Sequence, residues 1–219
     1  PGLGLDREDT PRNGFYRNRG DNTFEEIACF AGIAASDWSW TPLFLDVDLD
    51  CWEDLLISNG LLHDVNDKDI GAKVKSRRRS NMRGDRALLA EYPPIDAPKC
   101  AFRNRRDLTF EDAGEAWGFN SRRSAYGMIT ADLEGDGDLD VVLSCIDGPP
   151  LIYINQGGAP RVAVRLRGRD GNLQAVGARL VLRGGPVVQT QEVIAGGQYL
   201  SGSDPMRVFA AGKGPMCLE

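Results

Sequence analysis

Asp132-Leu133-Glu134-Gly135-Asp136-Gly137-Asp138-Leu139-Asp140 is a nine-residue stretch with an acid at positions 1, 3, 5, 7 and 9. In a tight loop this spacing directs alternate side chains toward one centre, and the glycine at position 6 permits a backbone conformation that a β-carbon disfavours. Crowded carboxylates repel one another unless a cation lies between them, and calcium takes about 6–8 oxygen ligands. The stretch therefore predicts a calcium-binding loop. Its predicted ligands are Asp132, Glu134, Asp136, Asp138 and Asp140.

A related acidic loop lies earlier in the chain, at Asp46-Val47-Asp48-Leu49-Asp50-Cys51-Trp52-Glu53-Asp54. It has acids at positions 1, 3, 5 and 9, but position 7 is Trp52, which can offer only its backbone carbonyl. Cys51 stands where the other loop has glycine, so we expect the same geometry with some backbone strain and a weaker affinity. The predicted ligands are Asp46, Asp48, Asp50, Trp52 and Asp54, which gives two calcium sites in the chain.

Other interpretations of these loops are less favoured. An EF-hand loop needs an acid at position 12, where this chain has Ile57 and Leu143 within apolar runs. Magnesium also prefers oxygen ligands, but a cage rich in protein carboxylates favours calcium. A solvated, Asp-rich turn without an ion is the remaining alternative.

The two loops belong to an internal repeat with a constant offset of 86 residues, the distance from Asp46 to Asp132. Four blocks begin at Phe15, Thr23, Trp38 and Asp46 and recur from Ala101, Thr109, Ser124 and Asp132. Aligned blocks without a gap indicate a repeat architecture such as a β-propeller. Short apolar runs enter and leave each acidic loop, as is typical of buried strands.

The chain divides into two predicted regions. Residues 61–99 interrupt the first repeat unit as a charged insert, which reads as a loop with some helix. From Arg161 onward the sequence alternates between apolar and polar residues with Gly-rich turns, which predicts antiparallel strands. We therefore expect an all-β chain: a partial β-propeller with calcium loops over 1–156, then a small antiparallel β-domain over 161–219.

Composition argues against several classes of protein. The net charge is −6, with 32 acids against 26 bases, whereas nucleic-acid-binding domains are usually basic. The five cysteines form no CxxC pair and there is one histidine, which disfavours a zinc site and a Ser-His-Asp triad. No run of 18 apolar residues exists, so we expect no membrane insertion. Because no cluster of titratable groups is left uncommitted, we expect a binding or structural module, not an enzyme.

The loop pattern D-x-[DE]-x-D-G-x-x-D-L/V resembles that of FG-GAP/VCBS repeats, the calcium-loop repeats of integrin-α-type β-propellers. The flanking residues Tyr16-Arg17-Asn18, Thr23-Phe24 and Ala31-Gly32-Ile33 are similar to the version in cartilage acidic protein-like proteins. The C-terminal region resembles the ASPIC/UnbV domain that follows the propeller in that family. The blocks that carry this likeness are Val164-Arg165-Leu166-Arg167-Gly168, Asn172, Ala175-Val176-Gly177-Ala178-Arg179 and residues 191–201.

The resemblance implies a secreted or cell-surface protein with structural calcium in a propeller of about seven blades. This chain supplies the end of one blade (13–27), a full blade (38–112) and the start of another (124–155). We therefore expect a fragment of a longer protein, or a chain that completes its sheets with partners, and an ASPIC/UnbV part that is cut short.

The expected function is that of an extracellular, calcium-binding structural or adhesion module whose partners are other protein chains, matrix or polysaccharide. One alternative is a carbohydrate-recognition propeller accessory to an enzyme. For that role Trp38, Trp40 and Tyr126 would have to form a sugar platform, whereas packing between blades is the favoured interpretation. A further alternative is a fibre subunit that assembles itself through exposed β-edges.

Overall fold

The structure is a computed structural model that describes residues 12–78 and 89–219. Within these residues the chain is all-β, with short antiparallel strands in six sheets, which confirms the predicted class. The described helices are α1 (Ala28–Ala31) and α2 (Lys68–Arg78), the latter in the predicted insert. Neither of them has the length and apolar character needed to span a bilayer. Residues 1–11 of the predicted propeller and 79–88 of the insert lie outside the described residues.

The N-terminal part contains a two-stranded, a four-stranded and a three-stranded antiparallel sheet, in the orders β1-β2, β3-β4-β5-β6 and β7-β8-β9. Their strands are β1 (Tyr16–Asn18), β2 (Phe24–Glu26), β3 (Ser39–Leu45), β4 (Asp54–Asn59), β5 (Cys100–Asn104), β6 (Phe110–Asp112), β7 (Ala125–Ala131), β8 (Asp140–Cys145) and β9 (Leu151–Tyr153).

The strands recur with the offset of the sequence repeat. β2, β3 and β4 return 86 residues later as β6, β7 and β8, with the same lengths. The strand pairs β3-β4 and β7-β8 also share a register shift near the start of their first strand, between Ser39 and Thr41 and between Ala125 and Met128. The four-stranded sheet is thus one complete meander, and the sheets on either side are shorter versions of it.

The sheets pack against each other through apolar faces. Leu56 of β4, Met128 of β7 and Leu143 of β8 belong to one buried cluster between the four-stranded and three-stranded sheets. Two buried hydroxyls cross the same interface, because Thr41 Oγ1 and Ser58 Oγ both donate to the Tyr126 carbonyl, at 2.8 and 2.7 Å. A separate cluster on β4 and β5 joins the other face of that sheet to α1.

Two of the aromatic residues considered for a sugar platform contact each other. The ring centroids of Trp40 and Tyr126 are 4.3 Å apart, and Tyr199 from the C-terminal region lies 5.1 Å from Trp40. The Trp40 indole N–H donates to the Gly60 carbonyl at 2.7 Å. These rings therefore join neighbouring sheets to the C-terminal region.

The C-terminal unit, residues 161–219, contains three small antiparallel sheets in the orders β10-β15, β12-β11-β16 and β13-β14. Its core contains Leu180, Leu182, Val193 and Phe209. Its strands are β10 (Arg161–Val164), β11 (Arg179–Arg183), β12 (Gln189–Glu192), β13 (Gly197–Gln198), β14 (Ser201–Gly202), β15 (Arg207–Ala210) and β16 (Cys217–Leu218).

This unit docks beside both acidic loops. Met206 and Val208 form a buried cluster with Leu139 of the second loop, and Leu49 of the first loop packs against it. The backbone of Thr130, just before the second loop, both donates a hydrogen bond to this unit and accepts one from it. Its N–H donates to Ser203 Oγ at 3.0 Å, and its carbonyl accepts from the Asp204 N–H at 2.9 Å.

Candidate metal centre

Each acidic loop joins the first two strands of its sheet, β3 to β4 and β7 to β8, and is fixed there by its last acid. Asp54 Oδ2 accepts from the Val47 N–H at 3.0 Å, and its Oδ1 accepts from the Asn104 N–H at 2.8 Å. Asp140 repeats the arrangement with the N–H groups of Leu133 and Asn155, at 2.8 and 2.9 Å. Both carboxylates are buried. Each therefore ties the start of its loop to the C-terminal end of the third strand of its sheet, at Asn104 of β5 or at Asn155 just beyond β9.

The first acid of each loop closes the turn. Asp46 accepts from the N–H groups of Asp50 and Cys51, both at 2.8 Å. Asp132 accepts from Asp136 and Gly137 in the same way, at 3.1 Å each, and from Gly135 at 2.7 Å. The loop backbone thus wraps around the carboxylate at position 1 in both repeats.

The first loop gathers three acids around one point. Asp46, Asp48 and Asp50 each offer a carboxylate oxygen, and these oxygens all lie within 4.8 Å of one another. Ligands at about 2.3–2.6 Å from a shared calcium ion are separated by no more than about 5 Å, so the spacing suits one ion. It is the one such group of acids, cysteines or histidines in the described ranges 12–78 and 89–219.

Asp48 supplies a second indication of a cation. Its Oδ1 is buried and has no hydrogen-bond partner, and an unsatisfied buried carboxylate oxygen is unfavourable. The other oxygen, Oδ2, lies 2.6 Å from the Arg103 guanidinium, and Asp50 Oδ2 lies 2.6 Å from that of Arg106. These arginines are about half exposed, at 43% and 53% of the side chain, so solvent screens them. The two arginines therefore balance only part of the negative charge of the triad, and Asp48 Oδ1 stays without a hydrogen-bond partner.

Burial makes these carboxyls hard to ionise in the absence of an ion. It raises the pKa of Asp46 to about 6, helped by the neighbouring charges of Asp50 and Asp48 and opposed by the backbone N–H donors. Burial likewise raises the pKa of Asp54 to about 7. A divalent cation favours the ionised form of both groups, so the electrostatics of the first loop fit an oxygen-ligated metal ion.

The second loop has a different arrangement. The guanidinium of Arg161, at the start of β10, pairs with Asp138 Oδ2 and lies 3.4 Å from Asp136 Oδ2. Asp138 is buried, which raises its pKa to about 6 even though Arg161 opposes the shift. Glu134 is exposed at the rim. In the acid-rich second loop, which the sequence favoured, Arg161 of the same chain therefore contacts two of the five acids.

Two predicted ligands of the first loop lie outside the gathered triad. Asp54 uses both oxygens on backbone N–H groups, as described above, and Trp52 donates its own N–H to Asp50 Oδ1 at 3.0 Å. The structure thus assigns Asp54 a role in holding the loop. Coordination by Asp54 or by the Trp52 carbonyl stays a prediction.

The first loop carries strain that the second avoids. The strain expected at Cys51 is present, with φ at +78°, and Leu49 also has a positive φ of +54°. Their counterparts 86 residues later are Gly137 (φ +88°) and Gly135 (φ +76°), which adopt this region readily. Leu49 packs against the cluster that contains Met206 and Val208, and this contact helps to offset the strain.

Sequence reasoning missed the arginines and Leu49. Arg103 and Arg106 lie more than 50 residues beyond the carboxylates they pair with, and Arg161 belongs to the other predicted domain. The repeat offers one signal of the positive φ at Leu49, because the equivalent residue of the other loop is a glycine, Gly135.

Comparison of the sequence with protein-family models and with curated proteins identifies no relative. No protein-family model matches the chain, and no curated protein matches it. The likeness to FG-GAP/VCBS repeats and to the ASPIC/UnbV domain therefore rests on the quoted residues and stays a prediction. The metal centre rests on its geometry.

Replacing Cys51 by glycine should stabilise the metal-free chain by about 1 kcal/mol, because glycine has no β-carbon to disfavour a positive φ. The reciprocal change Gly137→Ala should destabilise it by about 1–2 kcal/mol, because alanine disfavours the φ of +88°. Steric clash adds nothing, since the β-carbon would meet only an ordinary contact with Ala163 Cβ at 3.5 Å. Urea unfolding in the presence of chelator measures both. A destabilised Cys51→Gly variant would contradict the strain argument.

The metal-free chain should lose stability as the pH rises from about 4 to about 7. The pKa values of Asp46 and Asp54 are raised in the folded chain to about 6 and about 7, above the ordinary 3.8, so the folded chain binds more protons than the unfolded chain in this window. The lowered pKa values of Asp21 and Glu26 act in the opposite direction, but only near and below the lower end of this window. Thermal unfolding in chelator should give a higher Tm at about pH 5 than at about pH 7.5. The opposite order would show that these carboxyls do not govern stability.

Proposed function

We propose that this chain is a calcium-binding structural module and that its first acidic loop holds the ion. The observation that carries the proposal is the triad of Asp46, Asp48 and Asp50, whose oxygens lie within 4.8 Å of one another with one Asp48 oxygen buried and unpaired. Trp52, through its carbonyl, and Asp54 are the further ligands that the repeat predicts. Calcium is favoured over magnesium because it accepts several carboxylates, whereas magnesium keeps much of its water.

The role proposed for the ion is structural. The first loop connects β3 to β4 and packs Leu49 against the C-terminal unit, so fixing the loop stabilises both a sheet and an interface. An ion that binds the folded chain and not the unfolded chain adds its binding free energy to folding. Affinities of about 10⁻⁴–10⁻³ M are common among extracellular calcium modules. We propose that the chain is located on the cell surface or in secretions, where an affinity in this range is typical of calcium modules.

We further propose that the four-stranded sheet β3-β4-β5-β6 is one blade of an FG-GAP/VCBS-type propeller. The hairpin β1-β2 and the sheet β7-β8-β9 would be parts of its neighbours, and the C-terminal unit would be of ASPIC/UnbV type. The recurrence of strands at an offset of 86 residues and the face-to-face packing of sheets support this architecture. Its partners would be other protein chains, matrix or polysaccharide, and its role adhesion or assembly without catalysis.

Self-assembly is a second candidate function, and the edge strand β9 favours it. Its counterpart β5 lies between β4 and β6, whereas no strand among the described residues pairs with the outer edge of β9. Ile152, in the middle of β9, is 57% exposed. A second copy of the chain that paired with this edge would complete the sheet.

Calcium should raise the stability of the wild-type chain, and Asp48→Ala should abolish the effect. With an affinity of about 10⁻⁴–10⁻³ M, about 10 mM calcium stabilises the folded chain by roughly 1.4–2.7 kcal/mol. Asp48 is the residue to change because it accepts no backbone N–H, so the hydrogen bonds of Asp46 and Asp54 to the loop are preserved. Thermal unfolding with calcium and with chelator measures the difference.

The matched control is Glu134→Ala, which removes the acid at the same position of the second loop. This variant should retain the full calcium effect, because Glu134 is exposed and belongs to no gathered group. A calcium effect that survives Asp48→Ala, or that is missing from the wild type, would refute the proposed site.

If β9 mediates assembly, the wild-type chain should form dimers or larger species in calcium, and Ile152→Lys should reduce them. A charged side chain at the centre of an edge strand opposes pairing with a second strand. Sedimentation velocity over a range of protein concentrations measures the species. Leu173→Lys, at a position 72% exposed in the C-terminal unit, is the control. A wild type that stays monomeric throughout would remove this candidate.

A further inference from the structure

Arg161 joins the C-terminal unit to the second acidic loop. It is the first residue of β10, where it pairs with Ala210 of β15. Its guanidinium pairs with Asp138 Oδ2 through one nitrogen and lies 3.4 Å from Asp136 Oδ2 through the other. The side chain of Arg161 is 18% exposed and that of Asp138 1%. One largely buried guanidinium therefore balances the acids at positions 5 and 7 of this loop.

The second loop needs this arginine because its own sheet supplies none. The N–H groups of Asn104 and Asn155 bond the last acid of the first and second loop, so these two asparagines are equivalent. In the first sheet Arg103 precedes Asn104 and Arg106 follows two residues later. The positions that correspond in the second sheet are Ile154 and Gly157. The charge that balances the second loop therefore comes from a different unit of the chain.

An incoming ion meets different resistance in the two loops. In the first loop the competing arginines are 43% and 53% exposed and each pairs with one acid, and such exposed pairs contribute little. In the second loop the competing guanidinium contacts a buried carboxylate, and removal of one partner of a buried pair is strongly unfavourable. The same ion therefore enters the first loop more readily.

We propose that Arg161 takes the place of an ion in the second loop, so that the chain binds one divalent cation rather than two. The second loop is then a latent metal site closed by a side chain. Asp138 is 99% buried and its Oδ1 has no partner, so removal of the guanidinium leaves an unsatisfied carboxylate beside Asp136 for a divalent ion. This inference rests on the proposed function, because it assumes that the first loop binds the ion.

The test is the number of calcium ions bound per folded chain, measured by equilibrium dialysis and elemental analysis. At a free calcium concentration that saturates the wild type, we expect one ion for the wild type and two for Arg161→Gln. Arg165→Gln is the matched control and should bind one ion. It removes an arginine that is 54% exposed and pairs with Asp204 within the C-terminal unit. Asp48→Ala in the Arg161→Gln background should return the count to one.

The outcomes separate this inference from the proposed function. Two ions on the wild type, or one ion on both the wild type and a folded Arg161→Gln chain, would overturn the inference and leave the first site intact. No ion on the wild type but one on Arg161→Gln would refute the first site and support the closure of the second. No ion on either chain would refute both. If Arg161→Gln does not fold, the counts on the wild type and on Asp48→Ala decide, and we expect one ion and none. Two ions on the wild type and one on Asp48→Ala would overturn the inference and keep the first site, whereas one ion on each would refute the first site.

Discussion

Two buried carboxylates, those of Asp54 and Asp140, fix the acidic loops to their sheets, and the geometry of both loops depends on them. Each accepts one N–H from the start of its loop and one from the residue that ends, or lies just beyond, the following strand. A loop held at these points has to turn within a few residues, which brings its first acid under the backbone of positions 5 and 6. The same arrangement places several negative charges in a partly buried space, where their ionisation is unfavourable unless a positive charge lies nearby. The arginines supply this positive charge in both loops, and the proposed ion would supply it in the first.

The two loops meet this constraint with different side chains. The second loop has glycine at both positions of positive φ, so its backbone is relaxed, and a single arginine from the C-terminal unit balances its charge. The first loop has Leu49 and Cys51 at those positions, where a positive φ strains the backbone. Leu49 packs against the C-terminal unit, and this contact helps to offset the strain. Both loops therefore make apolar contact with the same unit, through Leu139 and Leu49, and the second loop adds the Arg161 pair.

The sequence predicted the features that depend on local spacing. Alternating acids, a glycine at position 6 and short apolar runs on either side were enough to place both loops between strands, because each signal lies within about ten residues. The order of preference between the loops did not follow from spacing. By its acids alone the second loop is the better metal site, yet the structure gathers the oxygens of the first. The difference that spacing does not reveal is Arg161, which pairs with Asp138 through the docking of the C-terminal unit.

The contrast also bears on how the C-terminal unit is attached. Its contact through Arg161 involves acids of the second loop only, so it does not draw on the carboxylates of the first loop. Its contact through Leu49 depends on the first loop keeping a strained conformation, which a bound ion would favour by drawing Asp46, Asp48 and Asp50 together. Loss of the ion would then weaken the Leu49 contact, while Arg161, Leu139 and the backbone bonds of Thr130 to residues 203–204 would still join the unit to the second sheet and its loop.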